Sequence, residues 1–347
     1  MKTTMKAVRL KAAGQFEAVE EPRPVPGPGE SLVRVSAVSL CGSDLHWFDQ
    51  GGIGDAMLSR PLVLGHEFGG TVEGGSLDGR RVAVDPAIAC HACERCREGN
   101  PNLCPRVRFA GHGATDGGLR EFVAWPTALL FPVPDSFSAA AVALLEPLGV
   151  ALHGFDLGHV RFASAVAVVG CGPIGLLGVQ VARAAGAKSI VAVEPLAHRR
   201  AAAARCGADV VLSPDEAKVY KGEVDVAFEV AGTDDAVLTS MTLVRPGGRV
   251  VLAGIPDDDR TSFHAALARR KGLTIAMVRR MKDIYPRAIS LVERGVIELD
   301  WLVSNRFPLA EAAVAFAVAV RREGVKTVID VEAPAGLAVA PTRRRPH

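Results

Sequence analysis

Alternating apolar and alanine-rich segments between residues 165 and 276 constrain the fold more than any other feature of this sequence. Six apolar runs rich in β-branched residues predict strands at 166–169, 189–193, 209–212, 224–228, 249–253 and 273–276. Segments predicted as helices lie between them at 174–185, 198–206, 236–244 and 263–270. Strands that crossover helices bury on both faces are typical of a doubly wound parallel sheet, an α/β fold.

A glycine-rich loop follows the first of these strands and opens its helix. The segment GCGPIG fits the pattern G-x-G-x-x-G through Gly170, Gly172, Pro173, Ile174 and Gly175. Glycines at such a turn let backbone N–H groups approach a pyrophosphate, which then lies at the positive end of the helix. Because the pattern stands between a strand and a helix, it predicts a dinucleotide site.

An acidic residue at the end of the second strand bears on the choice of dinucleotide. Glu194 follows Gly175 by nineteen residues, and its carboxylate would accept hydrogen bonds from the ribose hydroxyls and repel a 2′-phosphate. NAD is therefore favoured over NADP. Arg199 and Arg200 argue the other way, because a nearby arginine can hold that phosphate, but the carboxylate would first have to be neutralised.

The first 145 residues have a different character. Residues 5–40 alternate apolar and polar positions, and short strands are predicted at 70–73, 81–84 and 122–125, a pattern of antiparallel β-structure. After the parallel sheet, 285–294 and 309–322 are predicted to be surface helices and 325–331 a strand that returns to the first part. The last sixteen residues, which end in three arginines before Pro346, are predicted to be a frayed tail.

Four closely spaced cysteines form the most specific pattern in the chain. Cys90, Cys93, Cys96 and Cys104 can surround one tetrahedral zinc ion with no position left open, which defines a structural site. An iron–sulfur cluster is the rival, but the seven-residue gap before Cys104 departs from ferredoxin spacing. The segment is expected to prop a loop or an oligomer interface rather than to bind nucleic acid, because it lacks aromatic residues for stacking.

Composition limits the class of partner. The 347 residues carry a formal net charge of only +2, so neither nucleic acid nor an anionic membrane is implied and a small-molecule substrate is expected. No apolar run of membrane-spanning length and no secretory signal are recognised, which predicts a cytoplasmic protein. The length favours two domains.

A second metal site is predicted from scattered residues. Cys41, His66 and one of the glutamates Glu67 and Glu146 form the thiolate, imidazole and carboxylate set that zinc accepts. Three protein ligands leave a position open for chemistry. Each residue alone has an ordinary structural explanation, but their occurrence together with a dinucleotide loop and a cysteine cluster favours a catalytic zinc.

From about residue 5 to 331 the sequence resembles the zinc-dependent medium-chain dehydrogenase/reductase family. The matching motifs are CGSDLH (41–46), GHEFGG (65–70), the four cysteines, EP (146–147) and GCGPIG (170–175). Within the family it is most similar to the polyol and sugar-acid branch of sorbitol dehydrogenase and L-idonate 5-dehydrogenase. The resemblance implies a GroES-like β-barrel catalytic domain at 1–148 and 279–347, a Rossmann NAD-binding domain at 149–278, and a homo-oligomer, either a dimer or a tetramer.

The resemblance also assigns roles to single residues. It implies that Cys41 and His66 bind zinc directly, with Glu67 and Glu146 as further ligands whose rank stays open. Ser43 would receive the substrate proton and His46 would pass it to solvent. The expected substrate residues are Trp47, Phe109, Glu146 and Arg280, and the cofactor residues beyond the glycine loop and Glu194 are Arg199, Ala253, Gly254, Ile255 and Val278.

The predicted activity is hydride transfer between a secondary alcohol of a polyol or sugar acid and NAD, with two zinc ions per chain. The neighbours of Arg280 depart from the aromatic flanks usual in the family, and Arg279 adds a second cation that would favour a sugar acid. A threonine, butanediol or simple secondary-alcohol dehydrogenase is an alternative on the same scaffold. A non-catalytic protein that binds NAD and zinc is the alternative from a different class.

Overall fold

A computed structural model of the chain describes residues 3–220 and 222–332. Up to residue 132 the chain is mainly antiparallel β-structure with two helices, α1 (Gly42–Gln50) and α2 (Glu94–Arg97). The strands are β1 (Thr4–Ala12), β2 (Gln15–Pro22), β3 (Glu30–Ser39), β4 (Gly52–Ile53), β5 (Ala56–Met57), β6 (Glu67–Glu73), β7 (Arg81–Val84), β8 (Ala87–Ile88), β9 (Arg108–Phe109), β10 (Phe122–Pro126) and β11 (Leu130–Pro132). The predicted C-terminal tail lies outside the described residues.

A six-stranded parallel sheet with helices on both faces follows. Its strands are β12 (Ala165–Val169), β13 (Ser189–Val193), β14 (Val210–Leu212), β15 (Val224–Glu229), β16 (Val244–Leu252) and β17 (Thr274–Met277). The helices of this region are α4 (Leu145–Gly158), α5 (Pro173–Ala184), α6 (Ala197–Arg205), α7 (Pro214–Val219), α8 (Asp234–Leu243) and α9 (Ala265–Lys271). They are preceded by α3 (Ala139–Ala143), which packs against β3 and β6 of the first part. The strand order β14-β13-β12-β15-β16-β17 is the doubly wound order, with its switch point between β12 and β15.

The strands are apolar without alternation because both faces of the sheet are covered. In β12, Val166 and Val168 pack into one hydrophobic cluster, whereas Ala165, Ala167 and Val169 pack into another. All five are at most 4% exposed. Burying a side chain the size of valine contributes about 1.5–3 kcal/mol, so a polar residue at either face of β12 would destabilise the sheet.

The chain then returns to its first part through α10 (Tyr285–Glu293), β18 (Val303–Pro308), α11 (Ala312–Val320) and β19 (Lys326–Asp330). Strand β19 pairs antiparallel with β3 and parallel with β18, which completes a seven-stranded sheet in the order β11-β7-β6-β3-β19-β18, with β10 also on β3. The domain limits at 148/149 and 278/279 stay predictions.

Several details differ from the sequence prediction. Helix α7 was not predicted because six residues are too few for a periodic pattern, although its capping box between Ser213 and Glu216 was a usable signal. Strand β18 was also missed. Helix α11 begins at Ala312 instead of residue 309, because a 3₁₀ turn over Leu309–Glu311 precedes it.

The stretch Ala139–Gly158, which contains α3 and α4, is long and apolar enough to cross a membrane by length and composition alone. Its apolar composition is explained by burial: 83% of the 18-residue window that meets this criterion lies inside the protein, where α4 packs against α5 and α10.

Candidate active site

The glycine-rich loop lies at the carboxyl end of β12, next to the switch point of the sheet. Gly170 has φ +96°, a conformation that favours glycine, and a Cβ there would lie 2.9 Å from Ala231 Cβ. A Cβ on Gly175 would lie 1.9 Å from the carbonyl oxygen of Gly170. The two glycines let α5 start directly against the strand, with Gly172 as its N-cap and Pro173 as its first residue, so its free N–H groups face the crevice.

Glu194 and Arg199 border this loop. The Glu194 side chain is buried, and its two carboxylate oxygens accept hydrogen bonds from the backbone N–H groups of Cys171 (2.7 Å) and Leu196 (3.0 Å). A Cβ on Gly172 would lie 3.6 Å from Nη1 of Arg199. Burial lowers the pKa of the Arg199 guanidinium, and the charge of Glu194 counteracts this effect. An acid and a base thus share the end of the crevice where an adenosine ribose would bind.

The remaining predicted cofactor residues lie at the same edge of the sheet. The N–H groups of Ala253 and Gly254 donate to the carbonyl of Glu229 (2.8 and 3.1 Å), and that of Val278 donates to the carbonyl of Leu252 (2.8 Å). Ile255 is 44% exposed. The structure therefore brings these residues to the carboxyl ends of β15, β16 and β17, which is where a doubly wound sheet binds ligands.

Cys41, His66 and Glu67 form a compact cluster, because one potential ligand atom of each lies within 4.8 Å of the others. Cys41 is the N-cap of α1. His66 follows Gly65, whose φ of +92° turns the chain, and Glu67 is the first residue of β6. A thiolate, an imidazole and a carboxylate brought together in this way match a zinc site with three protein ligands.

Asp44 orients the imidazole of this cluster. Asp44 Oδ1 lies 3.3 Å from Nδ1 of His66 and accepts the N–H of Gly65 at 3.1 Å, while Oδ2 accepts the N–H of Cys41 at 3.1 Å. Nε2 of His66 is thereby left for a metal, as in carboxylate–histidine–zinc arrangements. Burial would lower the pKa of His66, but Asp44 and Cys41 outweigh it and raise that pKa well above its usual value. The surroundings of His66 therefore favour a positive charge at this position.

The hydrogen bonds of the Glu67 carboxylate indicate whether a metal ion fits this cluster. Its Oε2 accepts a hydrogen bond from Ser39 and lies 2.5 Å from Nζ of Lys326, which also donates to the carbonyl of Leu40 at 2.8 Å. Oε1 is buried and has no hydrogen-bond partner among the described residues. An unsatisfied buried carboxylate oxygen is costly, and coordination to zinc would satisfy it.

Glu146 lies outside this three-residue cluster. It is buried in the first turn of α4, and burial raises its pKa to about 8, with a further contribution from the charge of Glu67. His66 and Lys326 act in the opposite direction. The geometry therefore joins Glu67, but not Glu146, to Cys41 and His66.

The four cysteines at 90–104, here called the cysteine lobe, match a tetrahedral site. The sulfur–sulfur distances are 4.0 Å for Cys90–Cys96, 3.5 Å for Cys93–Cys96 and 3.9 Å for Cys93–Cys104. Four thiolates about 2.3 Å from a zinc ion are separated by about 3.8 Å. The four sulfurs all lie within 4.8 Å of one another, so the residues present fit a closed metal site.

Phe109 and Arg280 extend the site away from the metal cluster. The ring of Phe109 lies 5.1 Å from that of His66, centroid to centroid, and the Arg280 guanidinium carbon lies 4.3 Å from the Phe109 centroid. Arg280 has φ +55°, which is uncommon for a residue other than glycine and points to a functional position. Burial lowers its pKa to about 10.

The remaining predicted residues lie on α1. Ser43 is half-buried in the first turn. Nδ1 of His46 lies 3.8 Å from Oδ1 of Asp257, an exposed residue in the loop after β16. Trp47 is only 2% exposed, and its indole N–H donates to Nδ1 of His112 at 3.3 Å. Trp47 therefore lies in the core and approaches the crevice only through His112.

Comparison with known proteins decides the family. Residues 27–135 match the model of the alcohol dehydrogenase GroES-like domain, and residues 173–294 match that of the zinc-binding dehydrogenases. A sorbitol dehydrogenase of Bacillus subtilis is 31% identical over 94% of this chain and 97% of its own length. The chain belongs to the zinc-binding dehydrogenases.

Solved structures of other zinc-binding dehydrogenases agree with this assignment. L-idonate 5-dehydrogenase from Escherichia coli superimposes with a TM-score of 0.89 at 28% identity and covers 95% of this chain and 99% of its own. A putative zinc-binding dehydrogenase from Sinorhizobium meliloti bound to NADP gives 0.88 at 33% identity, covering 95% and 100%. The predicted family, the GroES-like plus Rossmann fold and an oxidoreductase acting on CH–OH groups are confirmed. Zinc and a nicotinamide cofactor are confirmed as the cofactor classes of this zinc-binding dehydrogenase.

Several site residues of this zinc-binding dehydrogenase were not predicted. Asp44 stands three residues after the cysteine, and this capping-box spacing was an available signal. Lys326 begins β19, whose sequence KTVID also contains Thr327 and Asp330, so the lysine gave no distinct signal. Glu229 ends β15 and accepts the N–H groups of Ala231 and Gly232 at 2.7 Å each, so it fixes the loop at the cofactor edge. His112 gave no signal, because its contact with Trp47 depends on the tertiary fold.

Proposed function

We propose that this zinc-binding dehydrogenase interconverts a secondary alcohol of a polyol or sugar acid and the corresponding ketone, with NAD as the hydride acceptor. The observation that carries the proposal is the Cys41–His66–Glu67 cluster with the unpaired Oε1 of Glu67. The names of the relatives, a sorbitol dehydrogenase and an L-idonate 5-dehydrogenase, support the substrate class.

The cluster is connected to the cofactor edge through a short series of contacts. Arg280 follows β17 closely, stacks on Phe109, and Phe109 contacts His66. On the other side, His46 approaches Asp257 from the loop after β16. These contacts support a substrate that reaches both the metal ligands and a dinucleotide held at the glycine loop.

Zinc held by Cys41, His66 and Glu67 would lower the pKa of a substrate hydroxyl, as it lowers that of water to about 7. Ser43, on the first turn of α1, is proposed to receive the hydroxyl proton. His46 then passes the proton toward Asp257, which is 86% exposed and opens to solvent. An imidazole suits this step because one ring nitrogen can accept a proton while the other donates one. Phe109 and Arg280 are proposed to contact the rest of the substrate.

The choice of NAD rests on Glu194, because a carboxylate fixed by two backbone N–H groups beside the loop repels a 2′-phosphate. Glu194→Ala is expected to reduce the preference for NAD over NADP by about tenfold or more, whereas Glu216→Ala, an exposed glutamate on α7, leaves it unchanged. The measurement is kcat/KM for each cofactor. Equal use of both cofactors by the wild type would show that Arg199 outweighs Glu194.

Three further properties belong to this proposal. They are two zinc ions per chain, one in the catalytic cluster and one in the cysteine lobe, assembly as a dimer or tetramer, and a cytoplasmic location. Zinc in the lobe is supported by the sulfur distances, which match a closed tetrahedral site.

A substrate panel tests the function. Alditols, aldonates, L-threonine and 2,3-butanediol are offered with NAD, and formation of the reduced cofactor is followed by absorbance. The proposal expects kcat/KM for an alditol or aldonate to exceed that for threonine and butanediol by about a hundredfold. Best turnover of threonine or butanediol would replace the proposed substrate class, and no turnover of any compound would contradict the proposed activity.

A further inference from the structure

The guanidinium of Arg280 carries one donor group for which the described residues supply no hydrogen-bond partner. Its guanidinium is largely buried against the ring of Phe109, and Nη1 is buried without a hydrogen-bond partner among the described residues. Stacking fixes the plane of the guanidinium, and a planar, desolvated guanidinium suits a ligand that offers two oxygens and a negative charge. The charges of Glu146 and Asp85 act on this guanidinium, but neither carboxyl group hydrogen-bonds Nη1, and a buried donor without a partner is costly.

His112 lies near this guanidinium, because its backbone N–H donates to the carbonyl of Phe109 at 3.2 Å and Arg280 stacks on the Phe109 ring. Its imidazole carries a second donor. A Cβ on Gly111 would lie 2.9 Å from the backbone nitrogen of Gly65, so the turn that carries His112 packs against the segment leading into His66. Burial lowers the pKa of His112, and the charges of Arg280, Arg279 and His66 lower it further. Burial and these positive charges therefore favour the neutral imidazole.

Trp47 determines which nitrogen of His112 carries the proton. An indole N–H can only donate a hydrogen bond, and it points at Nδ1 of His112 at a distance of 3.3 Å. Nδ1 must accept this bond, so the proton of the neutral ring is on Nε2. The hydrogen bonds of the described residues leave Nε2 of His112 without an acceptor. This N–H is available to a ligand.

We propose that Nη1 of Arg280 and Nε2–H of His112 together bind a carboxylate of the substrate, so that the enzyme prefers sugar acids to the corresponding neutral polyols. In this arrangement Arg280 and His112 contact the substrate, and Trp47 is a positioning residue that fixes the tautomer of His112. A hydroxyl of a polyol could accept the same hydrogen bonds, but hydrogen bonds to a carboxylate are charge-assisted and stronger. The inference rests on the proposed function, because it names the substrate of the same site.

The test compares an aldonate with its alditol of identical carbon configuration, for example D-gluconate with D-sorbitol and L-idonate with L-iditol. The wild type is expected to show a kcat/KM at least about tenfold higher for the acid. Arg280→Met should lower this ratio by about a hundredfold, mainly through KM for the acid. Arg270→Met, which removes an exposed arginine of α9, should leave the ratio unchanged.

Variants of His112 and Trp47 distinguish hydrogen-bond donation by Nε2–H of His112 from a packing role of its ring. His112→Leu should lower the acid-to-alditol ratio by about tenfold, whereas His112→Gln, whose amide N–H can replace Nε2–H, should restore it to within a few-fold of the wild type. Trp47→Phe keeps an aromatic ring but removes the N–H, and should lower the ratio by a few-fold. Equal losses in the leucine and glutamine variants would show a packing role.

The outcomes also distinguish this inference from the proposed function. Turnover of alditols with a ratio at or below one, or a ratio that Arg280→Met does not change, would overturn the inference and leave the dehydrogenase activity standing. A preference for phosphorylated polyols would assign the two donors to a phosphate instead. If no compound is turned over, calorimetric titration of the enzyme–NADH complex with gluconate and sorbitol tests the inference directly. Only gluconate is expected to bind, and Arg280→Met is expected to abolish that binding.

Discussion

At the residue scale, the ion pair between Lys326 and Glu67 has the largest consequence for the site. Both side chains are almost fully buried, and Nζ lies 2.5 Å from Oε2. Lys326 and Ser39 both bind Oε2 of Glu67, so Oε1 points in a fixed direction. Groups that orient a metal ligand in this way tune the affinity of the site for the metal. Lys326 is therefore expected to act on the zinc site without touching the metal.

Lys326→Met should weaken zinc binding at the catalytic cluster by about 10–100-fold and leave the zinc of the cysteine lobe in place. Competition with a graded series of chelators, with the metal content measured at each step, checks this. Lys188→Met, which removes an exposed lysine, serves as the control. Unchanged affinity in the Lys326 variant would mean that Ser39 alone orients Glu67.

At the scale of elements, the cysteine lobe braces the segment that carries Arg280. Asn102 Nδ2 donates to the carbonyl of Arg279 at 3.0 Å, and Lys282 Nζ donates to the carbonyl of Gly99 at 2.9 Å and to Oδ1 of Asn100 at 2.8 Å. These bonds tie residues 279–282 to the lobe on both sides of Arg280. The positive φ of Arg280 requires such support.

Loss of one brace should therefore affect substrate binding more than cofactor binding. Lys282→Ala is expected to raise KM for the substrate several-fold, because Arg280 is less well positioned, while KM for the dinucleotide and the zinc content stay the same. Steady-state kinetics with metal analysis measure all three. A parallel rise in both KM values would point to a general loosening of the crevice.

Asp225 ties together the starts of three parallel strands. Its carboxylate accepts the N–H of Ala165, the first residue of β12 (2.8 Å), and a bond from Nε of Arg245 in β16 (2.7 Å). The bond from Arg245 lowers the pKa of Asp225 more than partial burial raises it. A carboxyl with a depressed pKa in the folded state stabilises the protein above its unfolded pKa of about 4, and this contribution is lost as the pH falls through the folded value.

Asp225→Asn should thus lower the free energy of unfolding by about 1 kcal/mol at neutral pH. The difference from the wild type should shrink toward zero as the pH falls through the depressed folded pKa of the wild-type carboxyl. Urea unfolding at neutral pH and in a series of acidic buffers measures it, with the exposed Asp55→Asn as control. A difference that persists undiminished in acid would assign the effect to side-chain packing.

At the scale of the whole molecule, the sequence predicted what depends on local pattern. The strands of the parallel sheet and the glycine loop follow from residues close together in the chain, and the order of motifs was enough to suggest the family. The contacts that complete the site are not local. Lys326 reaches Glu67 only because β19 pairs with β3 next to β6, and Trp47 meets His112 across the core. No periodicity records such pairings.

The two glutamates illustrate the same limit. Glu67 and Glu146 were equally plausible ligands in the sequence, because each follows a motif typical of the family. The fold gives them different surroundings. In Glu67, Oε2 is paired with Lys326, and Oε1 has no hydrogen-bond partner among the described residues. In Glu146, burial raises the pKa of the carboxyl group to about 8. Only the tertiary environment provides this distinction.

The central claim is that Cys41, His66 and Glu67 hold a zinc ion on which alcohol oxidation depends. Its most direct test is the zinc content and dehydrogenase rate of the purified wild type beside those of Cys41→Ser, with Cys206→Ser, a buried cysteine outside both clusters, as the matched control. We expect two zinc ions per chain in the wild type and in Cys206→Ser. Cys41→Ser should retain one zinc and lose at least about a hundredfold in rate. A Cys41→Ser protein that keeps both zinc ions and the full rate would contradict the claim.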